Sequence, residues 1–385
     1  MVVIGLCKHG LYLTRNFARH GVPVHVIERD FAQPSAQGRH GRKIRCANLM
    51  GPELIDTLVE LKRELPAPVA LFPTNDRMID ILQQHRAELE DHYRLPFPAG
   101  DLVTRLKDKS TLHDLAERSG LNVPQSFVVD SEDALEALRS RLRFPLAAKP
   151  VLPMSSFKSI KCEAFEEVAA QVRRSAAIGE PLILQEWIDG DDRDILFGAY
   201  YIDKRGACLA RFGGRKLLCY PPATGHATAA EGFDIGPLLD EGHAFLRDAG
   251  FWGLCSVEYK SGGGAQAKFI EVTVGRCDWW IMACELGGVN LPLVAYGDLV
   301  GVALPGVENA QRPGPAWHDL ECTLPVLYEH LVSRQWSVGE VLRYVARSKR
   351  DSLLDWRDPG PFLAQLARLP RQLAQRLSRR LARTA

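Results

Sequence analysis

The sequence predicts an α/β protein with an open parallel domain, then a mixed α+β region, then a helical carboxy-terminal extension. Strands and helices alternate over residues 2–100, which is typical of a parallel sheet because a crossover helix must connect successive parallel strands. Two short strands at 251–276 each carry one acid, and the composition shifts past residue 305. These three observations predict the three parts of the chain.

The chain is long enough for two or three domains with cores of their own, and its composition is that of an ordinary globular protein. It has 385 residues, of which 46% are hydrophobic and 25% are charged. The net charge of +1 gives no global reason to expect a nucleic-acid partner. We therefore expect small-molecule partners and no nucleic acid.

Cysteine usage favours the cytoplasm. The nine cysteines are dispersed and none forms a CxxC motif, which suits reduced thiols better than disulfides or a zinc site. The start, MVVIG, leads directly into a strand and a helix, so we expect no signal peptide. No apolar run approaches the length needed to span a bilayer. A cytoplasmic protein is the expectation.

In the first part, apolar runs predict strands and amphipathic runs predict helices. The strands are MVVIG, 22–27 and 68–73, and the helices are 10–20, 52–64 and 76–88. The first strand–helix turn runs from Gly5 to Gly10, but it is not a G-x-G-x-x-G motif. A turn that requires glycine is favoured there over dinucleotide binding.

The middle part predicts further strands that end in polar residues. An Asp-Lys pair at 108–109 precedes an amphipathic helix that ends at Gly120, a strand at 144–150 closes on Lys149, and another strand runs over 181–190. Residues 194–202 and 207–220 predict an antiparallel pair around DKRG. A helix at 234–248 precedes the two acid-bearing strands.

The segment 251–276 is the most informative part of the chain. Glu258 and Glu271 each interrupt an apolar strand, and the SGGGAQ turn between the strands suits a hairpin that brings the carboxylates together. Two buried carboxylates repel each other unless a cation compensates them. A Mg²⁺ ion held by one or two carboxylates and by substrate phosphates would supply this charge. The alternative is a surface hairpin whose two acids have no functional role. Thr273 and Arg276 add a hydroxyl and a fixed cation just past the second acid.

Other polar residues are spaced along the chain in an order that suits a nucleotide. Lys109 and Lys149 can neutralise the α and β phosphates, and the strand edge at 185–188 can offer backbone groups to an adenine. Asp194 can accept hydrogen bonds from ribose hydroxyls. Each piece is common in proteins, and their order and spacing together are the signal.

These motifs resemble the ATP-grasp superfamily, in particular its carboxylate–amine ligase branch, over about residues 1–305. The matching segments are PTNDRMIDIL, DK–helix–GLNVP, AAKP, LILQEWIDG, FGGRKLLCYPPATGHATAAE and VEYK…FIEVTVGR…GGVNLP. The resemblance implies a pre-ATP-grasp α/β domain at 1–103, a two-lobed ATP-grasp domain at 104–305 and the extension at 306–385.

The resemblance also implies an activity and a set of site residues. A carboxylate would attack the γ phosphate of ATP to give an acylphosphate, and an amine would then displace phosphate to form an amide. Mg²⁺ is the implied cofactor beside ATP, with Mn²⁺ as a substitute. The implied catalytic residues are Arg276, Arg215 and Lys216, and the implied metal ligands are Glu258, Glu271 and Thr273. The implied ATP contacts are Lys109, Lys149, Ser155, Ser156, Lys161, Gln185, Glu186, Trp187, Ile188 and Asp194.

Two departures from the family pattern concern catalysis. Thr273 stands where most relatives have an asparagine, so a hydroxyl replaces the usual amide ligand. The loop 151–161 is usually rich in glycine, and here serines and lysines would have to contact the phosphates through their side chains. A catalytically silent nucleotide-binding or regulatory protein is therefore the alternative. Acylphosphate formation or carboxylation without an amine acceptor is a second rival.

The substrates and the tail complete the expectations. The family suggests an amino acid and a cell-envelope precursor as carboxylate and amine, and a homodimer is also considered. Residues 361–385 carry leucines at helical spacing opposite six arginines and no acid. Peripheral contact with an anionic membrane and simple packing of a terminal helix are weighed equally for this tail.

Overall fold

The amino-terminal part of the chain is an open, fully parallel sheet. In this computed structural model, which describes residues 1–152, 155, 157–262, 266–304, 306–307, 309–347 and 349–368, the strands lie in the order β3-β2-β1-β4-β5. The elements are β1 (Val2–Ile4), α1 (Lys8–Arg19), β2 (His25–Glu28), β3 (Arg42–Arg45), α2 (Pro52–Lys62), β4 (Val69–Pro73), α3 (Asp76–Gln84), α4 (Arg86–Leu89) and β5 (Tyr93–Arg94). The predicted parallel α/β domain is confirmed.

The turn after β1 needs its glycines for close packing. Gly5 has a φ of +90°, and a Cβ on it would lie 2.4 Å from Thr74 Oγ1. A Cβ on Gly10 would lie 2.1 Å from the Gly5 carbonyl oxygen. Both positions therefore exclude a side chain, as predicted for a turn that requires glycine.

A small antiparallel sheet follows and has a hydrophobic core of its own. Its strands lie in the order β6-β9-β7-β8, and α7 and α8 pack with it. The elements of this stretch are α5 (Leu102–Lys107), α6 (Lys109–Arg118), β6 (Ser126–Val129), α7 (Glu132–Leu138), β7 (Leu146–Pro150), β8 (Ile160–Cys162), α8 (Phe165–Ala176) and β9 (Leu182–Glu186). This separate core makes the small sheet one lobe of the domain.

The second lobe is a larger sheet with the strand order β14-β13-β10-β11-β12-β15-β16. After a short 3-10 helix (Asp192–Asp194), its elements are β10 (Ile195–Ile202), β11 (Cys208–Tyr220), β12 (His226–Gly232), α9 (Leu238–Asp248), β13 (Gly253–Lys260), β14 (Lys268–Val274), α10 (Ile281–Leu286) and α11 (Leu291–Val300). The hydrophobic core of the first domain continues into β13 and β14. The two acid-bearing strands therefore pack on the first domain.

The carboxy-terminal extension is mostly helical but also adds two strands to the large sheet. It contains β15 (Ala316–His318), α12 (Leu320–Val332), α13 (Val338–Ala346) and β16 (Lys349–Asp351), and residues 360–368 are helical. β15 pairs with β12 in antiparallel register, and β16 pairs with β15 in parallel register. The extension is thus built into the second lobe.

Buried polar contacts fasten the extension to the first domain. Arg15 on α1 donates from Nε to Asp358 Oδ2 at 2.9 Å and from Nη2 to the Asp358 carbonyl at 2.7 Å. Lys8 Nζ lies 2.6 Å from Asp319 and 2.8 Å from Glu321. Of the residues that the structure describes, no helix has the length and apolar character needed to cross a bilayer.

Candidate active site

A cleft between the small and the large sheet brings together most of the residues that the sequence predicts for nucleotide binding. It holds about 680 Å³ of empty space, part of it open to solvent, which is within the range of small-molecule sites. The lining residues are Lys109, Ala147, Lys149, Lys158, Ser159, Gln185, Glu186, Trp187, Ile188, Ile195, Lys216, Ala223, Thr224, Gly225, Glu258, Lys260, Ile270 and Glu271.

The acid-bearing hairpin has the predicted geometry. Glu258 on β13 and Glu271 on β14 are direct cross-strand partners in the antiparallel register. Residues directly opposite each other in such a pair have Cβ atoms about 4.5–5.5 Å apart and share one face of the sheet. Both side chains line the cleft, so the sheet presents two carboxylates side by side.

The two carboxylates differ in their partners. Lys216 Nζ donates to Glu258 Oε2 at 2.6 Å, and both side chains are less than a tenth exposed. Burial alone would lower the pKa of Lys216, but the Glu258 carboxylate raises it overall, so the lysine stays charged. No hydrogen bond to the Glu271 carboxylate is formed within the described part of the chain.

The surrounding lysines hold Glu271 in its ionised form. Burial by itself would raise the pKa of this carboxyl, and Lys158, Lys109, Lys149 and Lys216 together lower it well below its usual range. An ionised carboxylate with free oxygens, opposite a second carboxylate, is the arrangement that a hard divalent cation requires.

A chain of side chains orients Lys149 at the end of β7. Its Nζ donates to Gln185 Oε1 at 2.7 Å, and Gln185 Nε2 lies 2.6 Å from His113 Nε2. An amide nitrogen can only donate, so His113 Nε2 accepts, which requires a neutral imidazole. Burial, with Lys149 nearby, lowers the pKa of His113 to about 4, so the ring is neutral near pH 7.

Lys149 itself is an unusually weak base. Burial is the main cause, opposed by Glu271 and reinforced by Lys109, Lys158 and Lys260, and its pKa falls to about 8. Five lysines therefore share one cleft, and a polyphosphate would relieve their mutual repulsion. Lys109 enters this group because α6 begins there, with the Asp108 side chain accepting from Ser110 N and Thr111 N.

The segment 186–188 forms one wall at the end of β9. The Glu186 carboxylate accepts from Lys268 Nζ at 2.6 Å, while the Glu186 and Trp187 amides donate to the Gln125 and Pro145 carbonyls. Among the described residues, the Ile188 N–H has no hydrogen-bond partner, so it remains available to a ligand edge.

Several residues that the sequence predicts for the active site do not line the cleft. Arg276 forms a bidentate ion pair with Asp76, with Nε–Oδ1 and Nη2–Oδ2 distances of 3.1 and 2.9 Å. Arg215 contacts its cross-strand partner Glu231 at 2.8 Å and lies over the Phe233 ring. Both guanidinium groups are thus already neutralised by carboxylates.

The remaining predicted residues also have local partners. Thr273 faces the same side of β14 as Glu271, and its hydroxyl donates to Asp278 Oδ2 at 3.1 Å. Asp194 accepts from the Asp191 amide at 2.9 Å in a capping box. Lys161 pairs with Glu163 at 2.6 Å and lies 5.0 Å from the centre of the Trp187 ring. Ser155 Oγ donates to the Leu152 carbonyl at 2.7 Å, and Ser156 lies outside the described residues.

Two further lysines line the cleft: Lys158, from the loop whose lysines the sequence assigns to phosphate contacts, and Lys260, which the sequence analysis did not single out. Lys158 Nζ donates to the Gly225 carbonyl at 3.0 Å, which connects the loop after β7 to the loop before β12. Lys260 Nζ lies 5.2 Å from the centre of the Trp187 ring, and burial lowers its pKa. The alternation of β13 holds the signal for Lys260, because residues 258 and 260 share one face of a strand.

The donor set fits a divalent cation that phosphates would help to hold. No cluster of three or more histidine, cysteine or acidic side chains suited to a metal occurs among the residues that the structure describes. Mg²⁺ is commonly held by one or two carboxylates together with phosphates and water, so the pair Glu258 and Glu271 is sufficient.

Comparisons with known proteins agree with this geometry. No family model matches the sequence. The D-aspartate ligase of Enterococcus faecium is 25% identical over 278 residues, which are 65% of this chain and 64% of that enzyme. The chain thus spans less than two thirds of that relative.

Two solved structures share the fold. The L-amino acid ligase of Bacillus licheniformis superposes with a TM-score of 0.61 at 15% identity, over 82% of this chain and 77% of that one. The biotin carboxylase domain of the Hydrogenobacter thermophilus 2-oxoglutarate carboxylase, solved with MgADP and bicarbonate, gives a TM-score of 0.63 at 12% identity, over 82% and 72%.

The two lobes, the cleft between them and the carboxylate hairpin define the class of protein. The chain has the fold of the ATP-grasp proteins, which its sequence motifs also resemble. Within that superfamily its similarity is to the carboxylate–amine ligases, represented by the D-aspartate ligase and the L-amino acid ligase.

Proposed function

We propose that the protein is an ATP-dependent carbon–nitrogen ligase. In this reaction a carboxylate oxygen attacks the γ phosphorus of ATP, the bond to the β–γ bridging oxygen breaks, and an acylphosphate and ADP form. The nitrogen of an amine then attacks the acyl carbon, phosphate leaves, and the nitrogen loses a proton to give an amide. The observation that supports this proposal best is the pair Glu258 and Glu271, directly opposite each other inside a ring of lysines.

Different residues of the cleft would perform different roles in such a reaction. Lys109, Lys149 and Lys158 can neutralise the phosphates, and the free Ile188 N–H can donate to an adenine edge. Glu258 and Glu271 would hold Mg²⁺, which when bound neutralises charge on the transferring phosphoryl group. Positioning and charge stabilisation supply most of the catalysis in phosphoryl transfer, so a cleft of fixed charges suits this chemistry.

An amino acid is the proposed carboxylate substrate. The support comes from the two ligases to which the chain is similar, whose names specify D-aspartate and L-amino acids. An amine on a cell-envelope precursor is the proposed acceptor. D-aspartate, the substrate in the name of the first relative, is the first candidate. The match covers only 64% of that enzyme, so the other amino acids are tested in the same panel.

The test is ADP release by the full chain with ATP and Mg²⁺ and a panel of D- and L-amino acids, each with and without hydroxylamine. A ligase releases ADP only with its own carboxylate, and hydroxylamine traps the acylphosphate as a hydroxamate. The variant Glu271→Gln, which lacks one proposed metal ligand, is the negative control. Nucleotide binding without carboxylate-dependent ADP release from any panel member would favour the catalytically silent alternative.

The acceptor needs a second measurement. A hydroxamate that forms readily, with no amide product from any amine supplied, would favour the rival reaction that ends at the acylphosphate. An amide whose formation consumes one ATP and depends on a particular amine would support the ligase and identify its acceptor class.

We further propose that the basic tail contacts anionic lipid and that the protein acts in the cytoplasm. The support is the run of arginines opposite leucines in 361–385, although residues 369–385 lie outside the described residues. The test is co-sedimentation with anionic and neutral vesicles, with and without residues 369–385. Equal binding of both chains, or binding to neither vesicle, would leave the tail as a packing element.

A further inference from the structure

We propose that the protein has a second anion-binding site, which takes a small polyanion bearing phosphate groups, in a pocket between α13 and the large sheet. Its walls are Arg193, Leu217, Glu340, Arg343, Tyr344 and Arg347, and it holds about 550 Å³ of empty space, part of it open to solvent. This set of walls is called the arginine pocket below. It shares no residue with the nucleotide cleft.

The pocket adjoins β11 next to the cleft. Lys216 lines the nucleotide cleft, and the next residue, Leu217, lines the arginine pocket. The register of β11 with β12 shifts between Lys216 and Leu218, so the strand is irregular at this point. Because the two sites share no wall residue, an anion in the arginine pocket would have its own set of contacts.

Three guanidinium groups converge on the pocket from two elements. Arg343 and Arg347 are four residues apart on α13, so they share one face of that helix. Like charges at this spacing repel each other and destabilise a helix unless an anion compensates them. Arg193 comes from the 3-10 helix Asp192–Asp194 and lies over the Trp336 ring, with its Cζ 5.0 Å from the ring centre.

The protein itself compensates these charges only in part. Arg347 pairs with Glu231, but the same carboxylate also neutralises Arg215. Within the described part of the chain, neither Arg193 nor Arg343 forms an ion pair, and Arg343 Nε donates only to the Gly339 carbonyl. Glu340 is the single acid of the wall, and its Oε2 is held by the Ser337 amide and hydroxyl at 2.7 and 2.8 Å.

The charge balance specifies the class of ligand. Once Glu231 and its second partner Arg215 are included, four arginines face two glutamates, which leaves a local excess of two positive charges. The planar guanidinium fork matches the oxygens of phosphate and carboxylate groups in a bidentate manner. A compact anion with at least two charges, such as a diphosphate group, fits both the charge and the volume.

Calorimetric titration of inorganic pyrophosphate into the full chain at low salt tests the site. Four proteins are compared: the unaltered chain, the double variant Arg193→Gln/Arg343→Gln, the cleft variant Lys149→Ala, and the control Arg350→Gln. Arg350 is an exposed arginine of the same extension, on β16, and lies outside the pocket wall. Because Arg193 and Arg343 are exposed, their replacement leaves the core unchanged, which thermal unfolding checks.

We expect the double variant to bind pyrophosphate at least tenfold more weakly, while Lys149→Ala and Arg350→Gln retain the affinity of this site. Loss of binding in Lys149→Ala alone would place the anion in the cleft and overturn the proposal. An equal loss in Arg350→Gln would show unspecific attraction and overturn it as well, as would no binding at all. Citrate in parallel titrations distinguishes phosphate from carboxylate recognition: preference for pyrophosphate supports the stated class, and preference for citrate contradicts it.

Discussion

The lysines of the nucleotide cleft and the two arginines beside it, Arg276 and Arg215, are both groups of cations, but the protein compensates their charges to different degrees. Inside the cleft, five lysines face three carboxylates, and the Glu271 carboxylate accepts no hydrogen bond from the described residues. Beside the cleft, Arg276 has a bidentate contact with Asp76, and Arg215 contacts a single carboxylate oxygen of Glu231. The family resemblance places both arginines with Lys216 in the catalytic set and assigns Lys109 and Lys149 to ATP.

This contrast distinguishes uncompensated cations, which can bind an anionic ligand, from cations paired with carboxylates, which stabilise the fold. A buried lysine with a lowered pKa is a cation that the fold has not compensated, so a bound anion gains from it. A guanidinium already in bidentate contact with a buried carboxylate contributes mainly to structure until a competitor displaces that carboxylate. Substitutions in the two groups should therefore have different signatures.

The largest expected effect is that of Glu271→Gln. Loss of its charge removes half of the carboxylate pair, so ADP formation should fall by about 10²-fold or more. Because the lysines that lower the pKa of Glu271 lose a counter-charge, thermal stability should also fall, but less than in Glu258→Gln, which breaks a direct ion pair. Glu117→Gln, on the exposed face of α6, is the control. Near-normal turnover of the variant at saturating Mg²⁺ would remove Glu271 from the metal site.

Glu258→Gln should reduce ADP formation similarly but should also destabilise the fold. The substitution leaves the buried Lys216 ammonium without its carboxylate, and breaking such a pair costs about 3–5 kcal/mol. Chemical denaturation measures this loss, and the double variant Glu258→Gln/Lys216→Met should recover part of the stability but none of the activity. Equal stability of Glu258→Gln and Glu271→Gln would contradict the difference drawn between the two acids.

Arg276→Ala should act first on stability, because it leaves Asp76 buried without a counter-charge. Arg276, with Lys107, holds the pKa of Asp76 below its usual value despite burial. We expect a loss of about 3–5 kcal/mol, measured by denaturation, and a smaller loss for the double variant Asp76→Asn/Arg276→Ala. If Arg276 also holds an oxyanion of the substrate, Asp76→Asn alone will retain turnover while Arg276→Lys loses it.

Lys149→Ala should weaken ATP binding by about tenfold to a hundredfold, the value of one charge-assisted hydrogen bond. The free ammonium has a pKa of about 8, so the charged fraction falls as the pH rises through 8. ATP affinity of the unaltered chain should therefore decrease above pH 8, whereas that of Lys149→Arg should not. Equilibrium binding of a fluorescent ATP analogue between pH 6.5 and 9.5 measures both effects, and a flat profile for the unaltered chain would place the phosphate contact elsewhere.

The smallest effect should be that of Arg215→Gln. Its side chain is 28% exposed, and Arg347 also pairs with Glu231, so the loss of stability should stay below about 1 kcal/mol. Turnover should change less than threefold. A large decrease in turnover with unchanged stability would return Arg215 to the catalytic group that the sequence motifs indicate.

The sequence predicted what strand periodicity and motif order encode. The turn between two acid-bearing strands predicted a hairpin that brings Glu258 and Glu271 together, and the observed register makes them direct partners. It could not predict that Asp76 neutralises Arg276, because this contact joins residues 200 positions apart and depends on how α3 docks on the hairpin. Lys260 was missed for a similar reason, since a lysine at a strand end is usually solvated. The pairing of β15 with β12 likewise depends on tertiary packing, and three residues give little periodicity to read.

The pairing of β15 with β12 limits where this protein can be truncated. A fragment ending near residue 305 would leave Ala229 and Ala230 of β12 on an open sheet edge, with unpaired amides and carbonyls facing water. The same cut would strip Asp358 from the buried guanidinium of Arg15. Such a fragment would be prone to self-association by strand addition, so a truncated form of this protein should retain the residues up to the helix at 360–368.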